Sequence, residues 1–225
     1  MRGRTSLFAD ARQDANAPPG VLETMPPRPR PPGRPGPDEA LTWLTEGNAA
    51  FLASPVAQAY DREQALASGQ SPIAVIVGCS DSRAAPEILF NCRLGDLFVV
   101  RVAGATVDTA QGSIEYGVQY LHCPLVVVLG HSNCGAVQAA TQMVIEHADP
   151  QGAIKDVVLP IVPAVLRAQA AGAKDLVNAA VREHVERSVR QLAATAPFVG
   201  AIDEGRLKVV GCYYDLETRK VEIIT

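Results

Sequence analysis

The sequence predicts an α/β domain with a mainly parallel central sheet flanked by helices. Short β-branched apolar runs recur at Ile73-Ala74-Val75-Ile76-Val77, Leu97 to Val102 and Leu125-Val126-Val127-Val128-Leu129. They are long enough for buried strands and too short for helices. Segments with helical spacing separate them, which is the pattern of strands that return in the same direction with helices over both faces. With 225 residues and 48% apolar content, one sizeable core suffices and a second domain is not required.

Met1 to Pro37 is different material. It holds nine of the 17 prolines and six Arg against three acidic residues, so it is +3 and the remainder −7. Such a composition cannot bury enough apolar surface to order itself and favours extended polyproline conformations. A disordered tail over 1–37 and a single domain over 38–225 are therefore expected. A sharper reading makes the tail a docking arm for an acidic or aromatic-lined protein partner.

Asp38 is expected to cap a first helix, with Leu41, Leu44, Asn48 and Phe51 along one side. A second helix is expected over Ala59 to Ser68, ending at Gly69. After the first strand, Pro86 to Asn91 reads as a short helix and Gln111 to His122 as a longer one. Another starts near Cys134, and Ile154 to Gln169 is helical with Pro160 and Pro163 interrupting it. Lys174 to Thr195 is the clearest amphipathic helix, with His184 beside its apolar stripe as a surface or boundary residue. Leu207 to Tyr213 and Lys220 to Ile224 form a C-terminal strand hairpin.

Two of the strands end in chemistry. The first runs into Gly78-Cys79-Ser80-Asp81-Ser82-Arg83, which places a thiol, a carboxylate and a guanidinium at alternate positions. In an extended chain these three point the same way. The Leu125 strand runs into Gly130-His131-Ser132-Asn133-Cys134-Gly135. Open parallel sheets bind ligands beyond the carboxyl ends of their strands. Cys79, His131 and Cys134 together make a three-ligand set suited to zinc, with one open position. A buried Cys alone is usually a small hydrophobe, and Cys92, Cys123 and Cys212 are read that way. Two strand-end clusters with complementary ligands favour the metal. Five cysteines at scattered spacings do not suggest a secreted disulfide framework.

The motifs Cys-Ser-Asp-Ser-Arg and His-x-x-Cys, about fifty residues apart, resemble those of the β-class carbonic anhydrases. The similarity extends through Gly69 to Pro72, Gly95 to Arg101, Gly112 to Tyr116 and Val210 to Asp215. It implies zinc-dependent reversible hydration of carbon dioxide to bicarbonate and a proton, by attack of zinc-bound hydroxide. It implies Asp81 and Arg83 as the catalytic pair, with Asp81 either paired to Arg83 or serving as a fourth metal ligand in a closed state. Gln70, Phe98, Ala103, Tyr116 and Gly135 match the family's substrate-binding positions. The resemblance also implies a homodimer or higher even oligomer, with N-terminal helices packing on a partner subunit.

Departures from the family pattern are local. Val102 and Ala105 stand where many members carry Asn, and Cys92 where a Gln is common. Ile76 stands three residues before Cys79, where members gated by non-catalytic bicarbonate carry Trp, so that regulatory site is expected to be absent.

Two other functions fit the same residues: hydrolysis of a carbon dioxide analogue such as carbon disulfide, and non-catalytic zinc or bicarbonate binding. A net charge of −4 argues against nucleic acid. No signal-peptide core precedes Pro37 and no run reaches transmembrane length, so no membrane partner and a cytoplasmic location are expected.

Overall fold

The computed structural model describes residues 31, 33–53 and 69–225. The apolar runs become neighbouring strands: β1 (Ala74–Gly78), β2 (Leu97–Arg101) and β3 (Leu125–His131), joined by β4 (Lys208–Tyr214) and β5 (Val221–Ile223). They hydrogen-bond in the order β2-β1-β3-β4-β5. The first four are parallel, and β5 runs antiparallel to β4 in the expected hairpin. From β1 the chain steps outward to β2, then returns to the other side of β1 as β3. That reversal opens a crevice beyond the carboxyl ends of β1 and β3.

All residues of β1 and β3 are buried, which explains their unbroken apolar character. Alternate side chains serve opposite faces. Ile76, Leu125, Val127 and Leu129 pack with Trp43 and Leu44 of α1 (Pro37–Ala53) and Leu89 of α2 (Pro86–Leu89). Val75, Val77, Val126 and Val128 pack with Ile114 and Val118 of α3 (Gln111–Gln119). The same layer takes Val185, Val189 and Leu192 of α7 (Leu176–Ala193) and Phe198 of α8 (Ala196–Asp203).

A third cluster surrounds the crevice. It joins Cys79 and Cys134 to Val137 of α4 (Gly135–Ile145), Val158 of α5 (Ile154–Val158) and Val165 of α6 (Val162–Ala170). α7 closes tightly on β3 there: a Cβ at Gly130 would stand 2.7 Å from Val185 and 2.8 Å from Val181.

The expectations for Asp38 and His184 are corrected, and the interruption expected at Pro160 and Pro163 is found. α1 begins at Pro37, so Asp38 lies inside the first turn and pairs with Lys208 at 2.7 Å. An acidic side chain there still suits the helix dipole. Pro160 opens a 3-10 turn (Leu159–Ile161) and Pro163 starts α6, each where its missing N–H costs least. Asp175, with its side chain accepting from Asn178 N, caps α7. His184 is not a surface or boundary residue: it is 3% exposed, because α7 is clamped between the sheet and α6. The expected helix over Ala59 to Ser68 and most of the tail lie outside the described residues.

Candidate metal centre

Cys79 directly follows β1, His131 ends β3, and Cys134 is the N-cap residue of α4. The ligating atoms of these three buried side chains all lie within 4.8 Å of one another. The two sulfurs are 3.9 Å apart. Two thiolates each about 2.3 Å from one tetrahedral ion would stand about 3.8 Å apart, so the spacing suits a shared cation.

The imidazole is oriented for the same task. His131 Nδ1 lies 2.9 Å from the Ser132 carbonyl, which can only accept, so Nδ1 carries the proton. Nε2 is then a bare lone pair, buried and with no hydrogen-bond partner among the described residues. Ser132 is itself tied down: its N–H donates to the Tyr214 carbonyl at 2.9 Å, and its hydroxyl accepts from Leu216 N at 2.8 Å.

Backbone amides cradle the sulfurs. Asp81 N donates to Cys79 Sγ at 3.4 Å and Gly104 N at 3.3 Å, while Ala136 and Val137 amides at the start of α4 favour a Cys134 thiolate. The Cys79 thiol is drawn down to about 4, chiefly by the hydrogen bond shared with Cys134 and against burial, with the Asp81 and Gly104 amides assisting. Cys134 moves up, first because it supplies that shared proton and then through burial. One proton leaves the pair easily and the second is held, because two adjacent thiolates repel. A divalent cation removes that repulsion. Two thiolates and one neutral imidazole fit zinc.

Asp81 lies beside this set rather than within it. Its Oδ2 is 3.9 Å from His131 Nε2. Arg83 holds both oxygens, Nε on Oδ1 at 2.9 Å and Nη2 on Oδ2 at 2.7 Å, and the Arg83 N–H adds a further bond to Oδ1 at 2.9 Å. The Arg83 guanidinium keeps the carboxyl well below the usual carboxylate range, so Asp81 is ionised. The expected extended run is therefore a turn. An Asp side chain that accepts the amide two residues on closes an Asx turn, and Asp81 and Arg83 meet through it.

Sequence reasoning missed two supports. Arg101, in register with Gly78 at the end of β2, donates from Nε to the Cys79 carbonyl at 2.9 Å and from Nη2 to the Asp81 carbonyl. A charged side chain on the strand beside the motif was the available signal. The other is the amide of Gly104, whose left-handed φ of +72° turns it towards Cys79.

The expected substrate positions fall into two groups. Ala103 immediately precedes Gly104, and Gly135 begins α4 beside Cys134. Phe98 and Tyr116 pack together with ring centroids 6.0 Å apart, and Gln70 is exposed before β1. Phe98 pairs with Val75, four residues before Cys79, which is about 13 Å along a strand. One chain therefore does not bring Phe98 to its own thiolates.

A carbonic anhydrase family profile matches residues 74–221, spanning both motifs and the sheet. The chain belongs to the β-carbonic anhydrase family. It is 42% identical over 190 residues to carbonic anhydrase 2 of Mycobacterium tuberculosis, covering 81% of this chain and 91% of that one. The carbonic anhydrase of Mycolicibacterium smegmatis is 40% identical over 196 residues, covering 84% and 95%. A solved β-carbonic anhydrase from Coccomyxa, in complex with acetazolamide, superposes with a TM-score of 0.63 at 26% identity, covering 83% of both chains. A Sordaria macrospora β-carbonic anhydrase, described as tetrameric, gives 0.64 at 24% identity, covering 83% of this chain and 97% of that one.

Proposed function

We propose that this β-carbonic anhydrase family member hydrates carbon dioxide reversibly to bicarbonate, with zinc held by Cys79, His131 and Cys134. The observation that carries the reading is the meeting of three buried donors with a bare His131 Nε2 beside an ionised Asp81. Zinc with three protein ligands supplies a lowered water pKa, towards about 7, and so a nucleophile near neutral pH.

The chain's residues do the rest. Asp81 Oδ2 accepts a hydrogen bond from the attacking water and orients it. Arg83 keeps that carboxylate ionised and turned to its present position. It cannot act as base, because a guanidinium keeps its proton near neutral pH. The proton released on hydration passes to solvent buffer through the exposed Arg83 side of the site. Ala103 and Gly135 crowd the thiolates with small groups, which suits a small linear substrate.

The apolar wall is completed by a second copy of the chain. Gln70, Phe98 and Tyr116 of one copy then face the thiolates of another, in a homodimer or higher even oligomer whose interface also takes the N-terminal helices. Tyr116 is 44% exposed and stacks on Tyr120, itself 71% exposed, at 5.3 Å between centroids. An exposed aromatic pair of this kind suits burial by a partner. The tetrameric Sordaria relative agrees with such an assembly.

The catalytic unit is residues 38–225, acting in the cytoplasm. Among the described residues, no helix is long and apolar enough to cross a membrane. Stopped-flow hydration of carbon dioxide by the zinc-loaded protein, with carbon disulfide in parallel, tests the proposal. Turnover of carbon disulfide alone would replace it with the analogue reading.

A further inference from the structure

The two residues between His131 and Cys134 are held by different elements. Ser132 is tied to the β4–β5 side, through the Tyr214 carbonyl and the Leu216 N–H. Asn133 is tied to α7: its N–H donates to Asn178 Oδ1 at 2.9 Å, across 45 positions of the chain. The first tie fixes the carbonyl that orients His131. The second bears on Cys134, which directly follows Asn133.

Asn133 is a position that needs holding. Its φ of +54° lies in the left-handed region, which Asn enters more readily than most residues but only as a single locally restrained turn. The next residue, Cys134, is extended again at φ −65° and ψ 120° as the N-cap of α4. That reversal directs the chain from the end of β3 into α4. A loosened turn would let the Cys134 sulfur drift from His131 Nε2, and a tetrahedral donor set works only within narrow geometric limits.

Asn178 is itself aimed. It is the third residue of α7, and the N-cap Asp175 accepts its backbone N–H on Oδ1 at 3.1 Å and its Nδ2 on Oδ2 at 2.8 Å. A carboxylate can only accept, so the NH2 of the amide must face Asp175, which leaves Oδ1 facing Asn133. In a capping box the third helical residue turns its acceptor back to the cap's own N–H. Here the acceptor reaches across to another segment. The base is firm, since Val181, one turn further along the same face, stands 2.8 Å from where a Cβ at Gly130 would lie.

We propose that Asn178 is a positioning residue for the metal centre: its side-chain oxygen, aimed by Asp175, holds the Asn133 N–H and with it the left-handed turn that keeps Cys134 and His131 on one cation. The inference rests on the metal reading above. It gives the polar start of α7 a task beyond capping its own helix.

The test compares full-length wild type with Asn178→Ala and with the exchanged pair Asp175→Asn/Asn178→Asp. Two readouts are taken: release of zinc into excess chelator, and the thiolate-to-metal absorption band of the cobalt(II)-substituted protein. Asn178→Ala keeps the backbone N–H on Asp175 and introduces a good helix former, so α7 stays capped and the protein folds. Its zinc should leave about tenfold faster, the lower end of the loss seen when a group orienting a metal ligand is removed. Its thiolate band should shift. The exchanged pair keeps an N-cap acceptor, an acceptor for Asn133 and the bond between the two side chains, so both readouts should return towards wild type.

Unchanged zinc release and an unchanged band in Asn178→Ala would overturn the inference while leaving the metal reading intact. Failure of the exchanged pair to restore either readout would overturn it too. So would collapse of the fold in Asn178→Ala, since Asn178 would then be a structural residue. Absence of a thiolate band in the wild-type cobalt protein would overturn the metal reading and this inference with it.

Discussion

Arg83 takes both carboxylate oxygens of Asp81, at 2.9 and 2.7 Å, and in doing so keeps Asp81 Oδ2 3.9 Å from His131 Nε2. That grip holds an ionised acceptor next to the donor set without letting it join the set. Without Arg83, a carboxylate so close to a divalent cation would enter as a fourth ligand. Arg83→Ala is therefore expected to retain zinc and lose turnover. Asp81→Ala should also retain zinc and lose the group that orients water. Each loss is about a hundredfold, the scale of one positioned acid–base contact. Steady-state hydration rates alongside metal analysis check this, and wild-type rates in both variants would make the pair structural.

Removing a thiolate should remove the metal. Elemental analysis of the purified protein is expected to give close to one zinc per chain, lost in Cys79→Ala and in Cys134→Ala. The Cys134 variant should lose zinc even though the helix amides that favour its thiolate are backbone groups and remain. Full zinc retention in both variants would dismiss these ligands.

His184 makes stability sensitive to acid. Its folded-state pKa is depressed by burial to about 4, below the ordinary 6.5. Above pH 6.5 the ring is neutral folded and unfolded, so the full stability is present. As the pH falls from 6.5 towards 4 the unfolded chain takes up the proton first, and stability declines, by up to about 3 kcal/mol. Urea unfolding across this range should show the decline, and His184→Leu should flatten it. Equal slopes in the two proteins would assign the acid sensitivity elsewhere.

Ala105 sits at φ +56°, in the left-handed region that Asn tolerates better than Ala. Ala105→Gly is expected to stabilise the protein by up to about 1 kcal/mol. Ala105→Val should destabilise it by about 2 kcal/mol or more, because a β-branched side chain combines strain with crowding at a buried site. Thermal melts of the two variants, falling on opposite sides of wild type, would bear out the strain.

The subunit-shared pocket has its own test. Cys79→Ala and Gln70→Ala homo-oligomers should each be weakly active. Mixing them under subunit exchange should restore activity, because one hybrid site then has both intact thiolates and an intact Gln. No recovery on mixing would mean that each chain builds its pocket alone.

Much of this was legible in the sequence, for reasons that differ by residue. β1 and β3 are buried on both faces, so their apolar runs were unambiguous, and their ends carried the donors. Cys79, His131 and Cys134 meet because neighbouring parallel strands end together. The Asp81–Arg83 contact was foreseen, but through the wrong geometry, since an Asx turn replaces the extended run.

His184 was misread. One polar residue beside an apolar stripe looks like a boundary residue when α6, which packs on this helix, is a separate element that the spacing within α7 does not reveal. Arg101 was visible as a charged side chain on the strand beside the motif, but its acceptors are backbone carbonyls, and the Gly104 amide is itself backbone, so no side-chain pattern pairs either with Cys79.

The most direct measurement is stopped-flow carbon dioxide hydration by the zinc-loaded protein, repeated after chelation and again after zinc is restored. Hydration well above the buffer rate, abolished by chelation and recovered with zinc, is the result expected. A protein carrying one zinc on Cys79, His131 and Cys134 that hydrates carbon dioxide no faster than buffer would contradict it.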